Sequence, residues 1–165
     1  ARLGPGVTEF NVGDEVFGLV PDSFSSFATT RAALVAPKPP NVSFEEAAAV
    51  PVTFLTAYHA LHNVAKIQSG ERVLVHAASG GVGVAAVQLA RAAGCEVFGT
   101  ASTDEKRDFA RGFGAQHLMH SRNTEYAAQI ADITNGAGVH VVLNSLSGGD
   151  FIEKTLACLN FDEKL

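Results

Sequence analysis

At 165 residues the chain has the length of about one domain, and its 47% apolar content is ordinary for a globular protein. A net charge of −5 with no Lys/Arg cluster to offset it argues against a nucleic-acid face, and no apolar run approaches the roughly 18 residues of a membrane span. Cys95 and Cys158 cannot form a disulfide framework, and Gly, Pro and acidic residues break up any signal-peptide pattern between Ala1 and Gly18, so a cytoplasmic protein with structural thiols is expected.

Up to Pro40 the sequence is punctuated by Gly and Pro, with short β-type runs at Glu15–Val20, Ser26–Thr30 and Leu34–Ala36. Pro37-Lys38-Pro39-Pro40 should end strand pairing, because proline has no N–H to donate. Residues 1–42 read as the remnant of a small antiparallel barrel. Ala1–Gly6 reads as the middle of a strand and turn, so the chain is expected to be a piece of something larger.

Ser43-Phe44-Glu45-Glu46 is a capping box, in which Ser and Glu three apart satisfy each other's backbone donors. An Ala-rich helix should follow and break near Pro51, with a second helical stretch from Thr53 to Leu61. From Gly70 onward, apolar strands and helices alternate. Val73–Val75 is a strand, Val82–Ala93 a helix closed by Gly94, and Cys95–Gly99 a second strand. Thr103 caps a helix over Asp104–Arg111, and a strand near Gln116–Met119 precedes a helix over Glu125–Ile133. A strand at Val139–Leu143 and a helix at Asp150–Leu159, opened by an Asp-x-x-Glu box, complete the pattern before Phe161–Leu165. Buried strands alternating with helices mean βαβ units and a parallel sheet. The expected fold is therefore α/β: a Rossmann-type doubly wound parallel sheet over residues 43–165, incomplete at its C-terminus, preceded by the barrel remnant.

Ala78-Ser79-Gly80-Gly81-Val82-Gly83 fits the dinucleotide fingerprint G-x-G-x-x-G with Ala in the first glycine place. Gly80 would let the backbone approach a pyrophosphate, and Gly83 would let the helix pack closely on the strand. The helix amides and dipole would complete the anion site. The loop's place between an apolar strand and an apolar-faced helix makes this reading much stronger than the bare pattern. Ala77-Ala78-Ser79-Gly80-Gly81 also resembles a nucleophile elbow with Ser79 as nucleophile, but the Gly80–Gly83 spacing would then have no purpose.

Sites for NAD place Asp or Glu at the end of the second strand, where the acid binds the ribose 2′-hydroxyl and repels a 2′-phosphate. Here the strand ends Gly99-Thr100-Ala101-Ser102, followed by Lys106 and Arg107, and Ser121-Arg122 follows the third strand. Hydroxyls and cations suit a phosphate monoester, so NADPH is expected. The competing reading is a solvated helix face on which Asp104, Glu105 and Asp108 neutralise Lys106.

Taken together, Val50–Tyr58, Val75–Gly83, Thr100-Ala101-Ser102 with Lys106, Ser121-Arg122 and Val142–Leu146 resemble the zinc-free, quinone-reductase-like branch of the medium-chain dehydrogenase/reductase superfamily. Within it they are most similar to the enoyl reductase domains of polyketide and fatty acid synthases. The resemblance implies that residues 1–42 are the C-terminal part of a GroES-like catalytic barrel. It also implies NADPH-dependent reduction of an α,β-unsaturated acyl thioester on an acyl carrier protein, with neighbouring synthase domains as partners. Carried over by position, Thr56, Asn144, Ser145 and Leu146 would line the nicotinamide side, and Ala78, Ser79, Gly80, Gly81, Val82 and Gly83 would hold the pyrophosphate. Ser102, Lys106 and Arg122 would hold the 2′-phosphate. Lys106 is a proton-donor candidate together with an acid after the Ser-Arg pair, which here could only be Glu125. The fragment by itself is expected to be inactive, because a substrate cleft would need the rest of the barrel.

Cys95 and Cys158 cannot supply the four closely spaced cysteines of a structural zinc, and His59 and His62 lack a third ligand, so no metal is expected. A free-standing quinone or enone reductase and a non-catalytic structural remnant of a synthase are the alternatives.

Overall fold

The computed structural model describes residues 2–160 and divides the chain into two compact units, Ala1–Leu55 and Thr56–Leu165. In the first unit, β1 (Val16–Gly18) and β2 (Val35–Pro37) form an antiparallel pair with Val16 opposite Pro37 and Gly18 opposite Val35. The pair is extended by a bond from Lys38 N to Glu15 O, and the Lys38 ammonium forms an ion pair with Glu15 at 3.1 Å. Only Ala47 and Pro51 are buried among this unit's described residues.

The strand expected at Ser26–Thr30 does not form. Its hydroxyl-rich surroundings bond locally instead: Ser25 Oγ donates to Asp22 O and Phe27 O, and Thr30 Oγ1 to Leu19 O. Such side-chain bonds give the backbone an alternative to a strand ladder.

The capping box at Ser43 forms as expected, with Glu46 N donating to Ser43 Oγ at 3.1 Å and Ser43 N to the Glu46 carboxylate at 2.9 Å. The helix it opens does not break at Pro51. Instead α1 runs unbroken over Phe44–Tyr58 with Pro51 inside, and continues as a π-helical segment over His59–Val64. Proline removes one helical N–H, the one that would reach Ala47 O, and Thr53 Oγ1 in the following turn donates to Ala49 O at 2.8 Å.

In the second unit the elements alternate strictly: β3 (Arg72–Val75), α2 (Gly81–Ala92), β4 (Glu96–Ala101), α3 (Asp104–Gly112), β5 (His117–His120), α4 (Tyr126–Ile133), β6 (Val141–Leu143) and α5 (Phe151–Ala157). The four strands form one parallel sheet in the order β5-β4-β3-β6. The central strands are apolar on both faces because helices cover both sides, and Val73, Leu74, Val75, Val97 and Phe98 have no accessible surface. Leu74 and Phe98 pack with Met119, Tyr126, Ile130, Val139 and Cys158 into one core. Thr103 caps α3 as expected, but the Asp150 box does not close: Asp150 is already in helical conformation and its side chain makes no capping bond. No helix among the described residues is long and apolar enough to cross a membrane.

Candidate nucleotide-binding site

The sheet order fixes where a ligand can sit. From β3 the chain crosses through α2 to β4 on one side, while β6 pairs with β3 on the other. At such a switch point the following loops diverge and leave a crevice at the carboxyl ends of the strands. Every expected site residue except Thr56 falls in a loop at that edge or in the first turn of the helix after it. Thr56 lies in α1 and is exposed.

The loop after β3 is sewn into both neighbouring strands by its backbone. His76 N donates to Leu143 O at 3.1 Å, and Ala78 N to Thr100 O at 2.9 Å. The chain then turns through Ala77 in the left-handed region (φ 50°), and Ala77 O accepts from Gly80 N at 2.8 Å. The expected fingerprint has its alanine at the first glycine place, Ala78, yet the strained residue is the one before it. The first helical bond of α2 runs from Val84 N to Gly80 O, so the amides of Gly81, Val82 and Gly83 precede it and face out of the positive end of the helix.

The two outer glycines do different work. A Cβ at Gly83 would lie 2.2 Å from Ala77 O and 2.8 Å from Ala78 Cα, so α2 meets the loop backbone directly. Gly80 is exposed with an ordinary φ of −80°, and an added Cβ would meet only Ala77 O, at 3.2 Å. Ala78 and Gly83 are buried, whereas Ser79, Gly80, Gly81 and Val82 reach the surface. The result is a run of amide donors at Gly81–Gly83 with no side chain in front of it at Gly80, which is what an anionic diester needs. Among the described residues no histidine or carboxylate hydrogen-bonds Ser79, so the elements of a nucleophile elbow are not assembled around it there.

At the ends of β4 and β5 the exposed cations are separate from the helix's internal pairs. Asp104 pairs with Arg107 and Asp108 with Arg111, each three residues apart on α3. Glu105 turns back to the cap, where its hydrogen bond with the Thr103 side chain holds its carboxyl below the usual range. Lys106 is exposed and enters neither ion pair. Arg107 Nη1 also donates to Ala101 O at 3.2 Å, which closes the end of β4. Ser102 is half-buried beside it, and Arg122 and Glu125 are exposed on the loop after β5.

After β6 the Asn144 side chain bonds both ways to Leu146, Nδ2 to Leu146 O and Leu146 N to Oδ1, each at 3.0 Å. It therefore shapes the turn that presents Ser145.

Sequence reasoning passed over the buried polar cluster beneath these loops. His76 Nδ1 lies 3.0 Å from Thr100 Oγ1, and Nε2 lies 3.1 Å from Thr155 Oγ1. Tyr126 Oη lies 2.9 Å from Thr155 Oγ1 and donates to Phe151 O at 3.1 Å. Burial holds the His76 imidazole at about 4, far below its usual range. A polar residue directly after an apolar strand was the available signal.

Comparison with known proteins places these features. Residues 81–165 match the family described as zinc-binding dehydrogenase. The chain is 47% identical over 147 residues to the phthioceranic/hydroxyphthioceranic acid synthase of Mycobacterium tuberculosis, and 51% identical over 149 residues to the spectinabilin polyketide synthase system protein NorB of Streptomyces orinoci. These matches cover 88% and 89% of this chain but 7% of each relative's length. Among solved structures, the CurK enoyl reductase superposes with a TM-score of 0.91 at 51% identity, over 96% of this chain and 47% of that one. A mycobacterial protein complexed with NADPH gives 0.86 at 33% identity, over 96% of this chain and 50% of that one. The family's zinc does not fit the donors here: among the described residues no group of three or more His, Cys, Asp or Glu could hold a metal ion. His59 instead meets Asn63, and the His62 ring packs against Tyr58. By sequence match and by its parallel sheet with a glycine loop at the switch point, the chain belongs to the zinc-binding dehydrogenase family.

Proposed function

We propose that this chain is the nucleotide-binding part of an NADPH-dependent enoyl reductase that acts on an α,β-unsaturated acyl thioester held on an acyl carrier protein of a polyketide or fatty acid synthase. The observation that carries the reading is the run of open amides at Gly81–Gly83 behind an uncovered Gly80 at the switch point, in a chain 51% identical to the CurK enoyl reductase. Residues 1–42 would belong to the GroES-like catalytic barrel and residues 43–165 to the Rossmann domain.

Each residue has a role in this reading. The amides around Ser79–Gly83 hold the pyrophosphate, and Ser102, Lys106 and Arg122 hold the adenosine 2′-phosphate. Two further facts support the last assignment: no carboxylate ends β4, and the acids of α3 that could neutralise Lys106 are engaged by Arg107, Arg111 and the Thr103 cap. Thr56 and the Asn144–Leu146 turn line the nicotinamide. When bound, NADPH supplies the hydride that goes to the β-carbon of the thioester. Lys106 Nζ, in the first turn of α3 after β4, and Glu125, at the end of the loop after the adjacent strand β5, are the proposed acids for protonation at the α-carbon.

Dissociation constants for NADPH and NADH test the cofactor assignment, and tighter or equal NADH binding would overturn it. Turnover of an enoyl thioester on a carrier protein, compared with turnover of a quinone, tests the substrate class. A free-standing quinone reductase is the second reading, favoured by a TM-score of 0.82 at 32% identity to a Pseudomonas syringae quinone oxidoreductase. Preference for the quinone would select it.

A further inference from the structure

The hydrogen bonds around His76 can be given a single direction. Phe151 O is a carbonyl and can only accept, so the Tyr126 hydroxyl proton is committed to it. Tyr126 Oη must then accept from Thr155, whose own proton is committed in turn. Thr155 Oγ1 is left as an acceptor toward His76, which makes His76 Nε2 the protonated nitrogen. A neutral imidazole carries its other nitrogen bare, so Nδ1 accepts from the Thr100 hydroxyl. Every proton in the chain Thr100, His76, Thr155, Tyr126, Phe151 is thereby placed, and no buried side-chain polar atom lacks a partner among the described residues.

This chain of bonds joins parts of the site that share no sequence neighbourhood. His76 is the residue before the strained turn at Ala77 and bonds by its backbone to Leu143, which precedes the Asn144 turn. Thr100 bonds the same loop twice, by its carbonyl to Ala78 and by its hydroxyl to His76. Thr155 and Phe151 belong to α5, which follows the Asn144–Asp150 loop. The glycine loop and α5 are thus fastened to one imidazole.

We infer that His76, held as its Nε2–H tautomer between Thr100 and Thr155, is a positioning residue that couples the glycine loop to helix α5 and so to the Asn144–Asp150 loop. The inference rests on the proposed nucleotide site. Occupation of the glycine loop stiffens α5 through Thr155, although α5 contributes none of the residues assigned to the cofactor.

Hydrogen–deuterium exchange of the protein with and without NADPH tests this. In the unmodified protein NADPH should slow exchange in Gly81–Val84 and also in α5. Thr155→Val, which removes the bonds to both His76 and Tyr126, should retain the protection of Gly81–Val84, lose that of α5, and weaken NADPH binding about 3- to 10-fold through loss of the His76 bond. Thr155→Ser, which keeps the hydroxyl, should restore both. Equal protection of α5 in the wild type and Thr155→Val overturns the coupling, and so does its absence in the wild type when the glycine loop is protected. Absence of protection at Gly81–Val84 itself overturns the proposed nucleotide site instead. A second measurement needs no variant: nitrogen-15 spectra of the labelled protein should show His76 as the neutral Nε2–H form from pH 7 down to pH 5. An Nδ1–H form, or protonation near the usual histidine range, overturns the inference even if Thr155→Val does not fold.

Discussion

The two ends of the candidate nucleotide site are built on different principles. The glycine loop after β3 is made of backbone: its amides are the donors, its neighbours are strand carbonyls, and one of its glycines has no room for a single carbon. The ends of β4 and β5 are made of side chains: half-buried Ser102 after β4, exposed Lys106 in the first turn of α3 and exposed Arg122 on the loop after β5. The first region can bind a feature that all dinucleotides share. The second can choose among them, because a side chain can change without moving the sheet.

The contrast is broken most directly at Gly83. Gly83→Ala puts a carbon 2.2 Å from Ala77 O, and since the Cβ position is fixed by the backbone and Ala77 O is itself backbone, neither can turn aside. A loss of about 3 kcal/mol or more is expected, read as a lowered melting temperature with or without nucleotide. An unchanged melt would mean that α2 does not sit on the loop as described.

The support under the loop should show in the pH dependence of stability. His76 is held at about 4 in the folded chain against roughly 6.5 unfolded. As pH falls, the unfolded state therefore takes up the proton first. The contribution is fully present above about pH 6.5, is lost as pH falls toward 4, and levels off below that. Denaturant titrations at pH 7 and pH 4 should show the wild type losing up to about 3 kcal/mol more than His76→Gln. An equal loss in both would place the titration elsewhere.

At the other end of the site the effect should be selective. Lys106→Ala should weaken NADPH binding by about 1–3 kcal/mol and leave NADH binding and the melting temperature unchanged, because Lys106 enters no ion pair of α3. An equal loss for both nucleotides would make Lys106 part of the general scaffold and blur the contrast between the two regions.

The smallest effect is expected at Ala77. Its left-handed backbone costs an alanine about 1–2 kcal/mol, and Ala77→Gly would relieve that while giving back up to about 1 kcal/mol of chain entropy in the unfolded state. A net gain of less than about 1 kcal/mol in denaturant unfolding is expected, and a clear loss would show that the methyl group packs usefully.

What the sequence determined by itself was the local grammar of the second unit and of the start of α1. Alternating apolar strands and helices, the Ser43–Glu46 and Thr103 caps and the glycine fingerprint were all readable, because each depends on residues within a few positions of one another. The sequence also indicated which loops would carry the site, since in a parallel sheet every strand end that precedes a helix lies at the same edge. Tertiary structure decided the rest. Helix α1 passes through Pro51, where the local rule predicts a break, and Ser26–Thr30 has strand composition but is held by hydroxyl-to-carbonyl bonds. The left-handed turn falls on Ala77, with no glycine to announce it, because Gly80 and the close approach of Gly83 pull the backbone around that carbonyl. His76 finds its partners 24 and 79 positions away. Periodicity cannot reveal such a contact, because it exists only once the register of β3 against β4 and the seat of α5 are set.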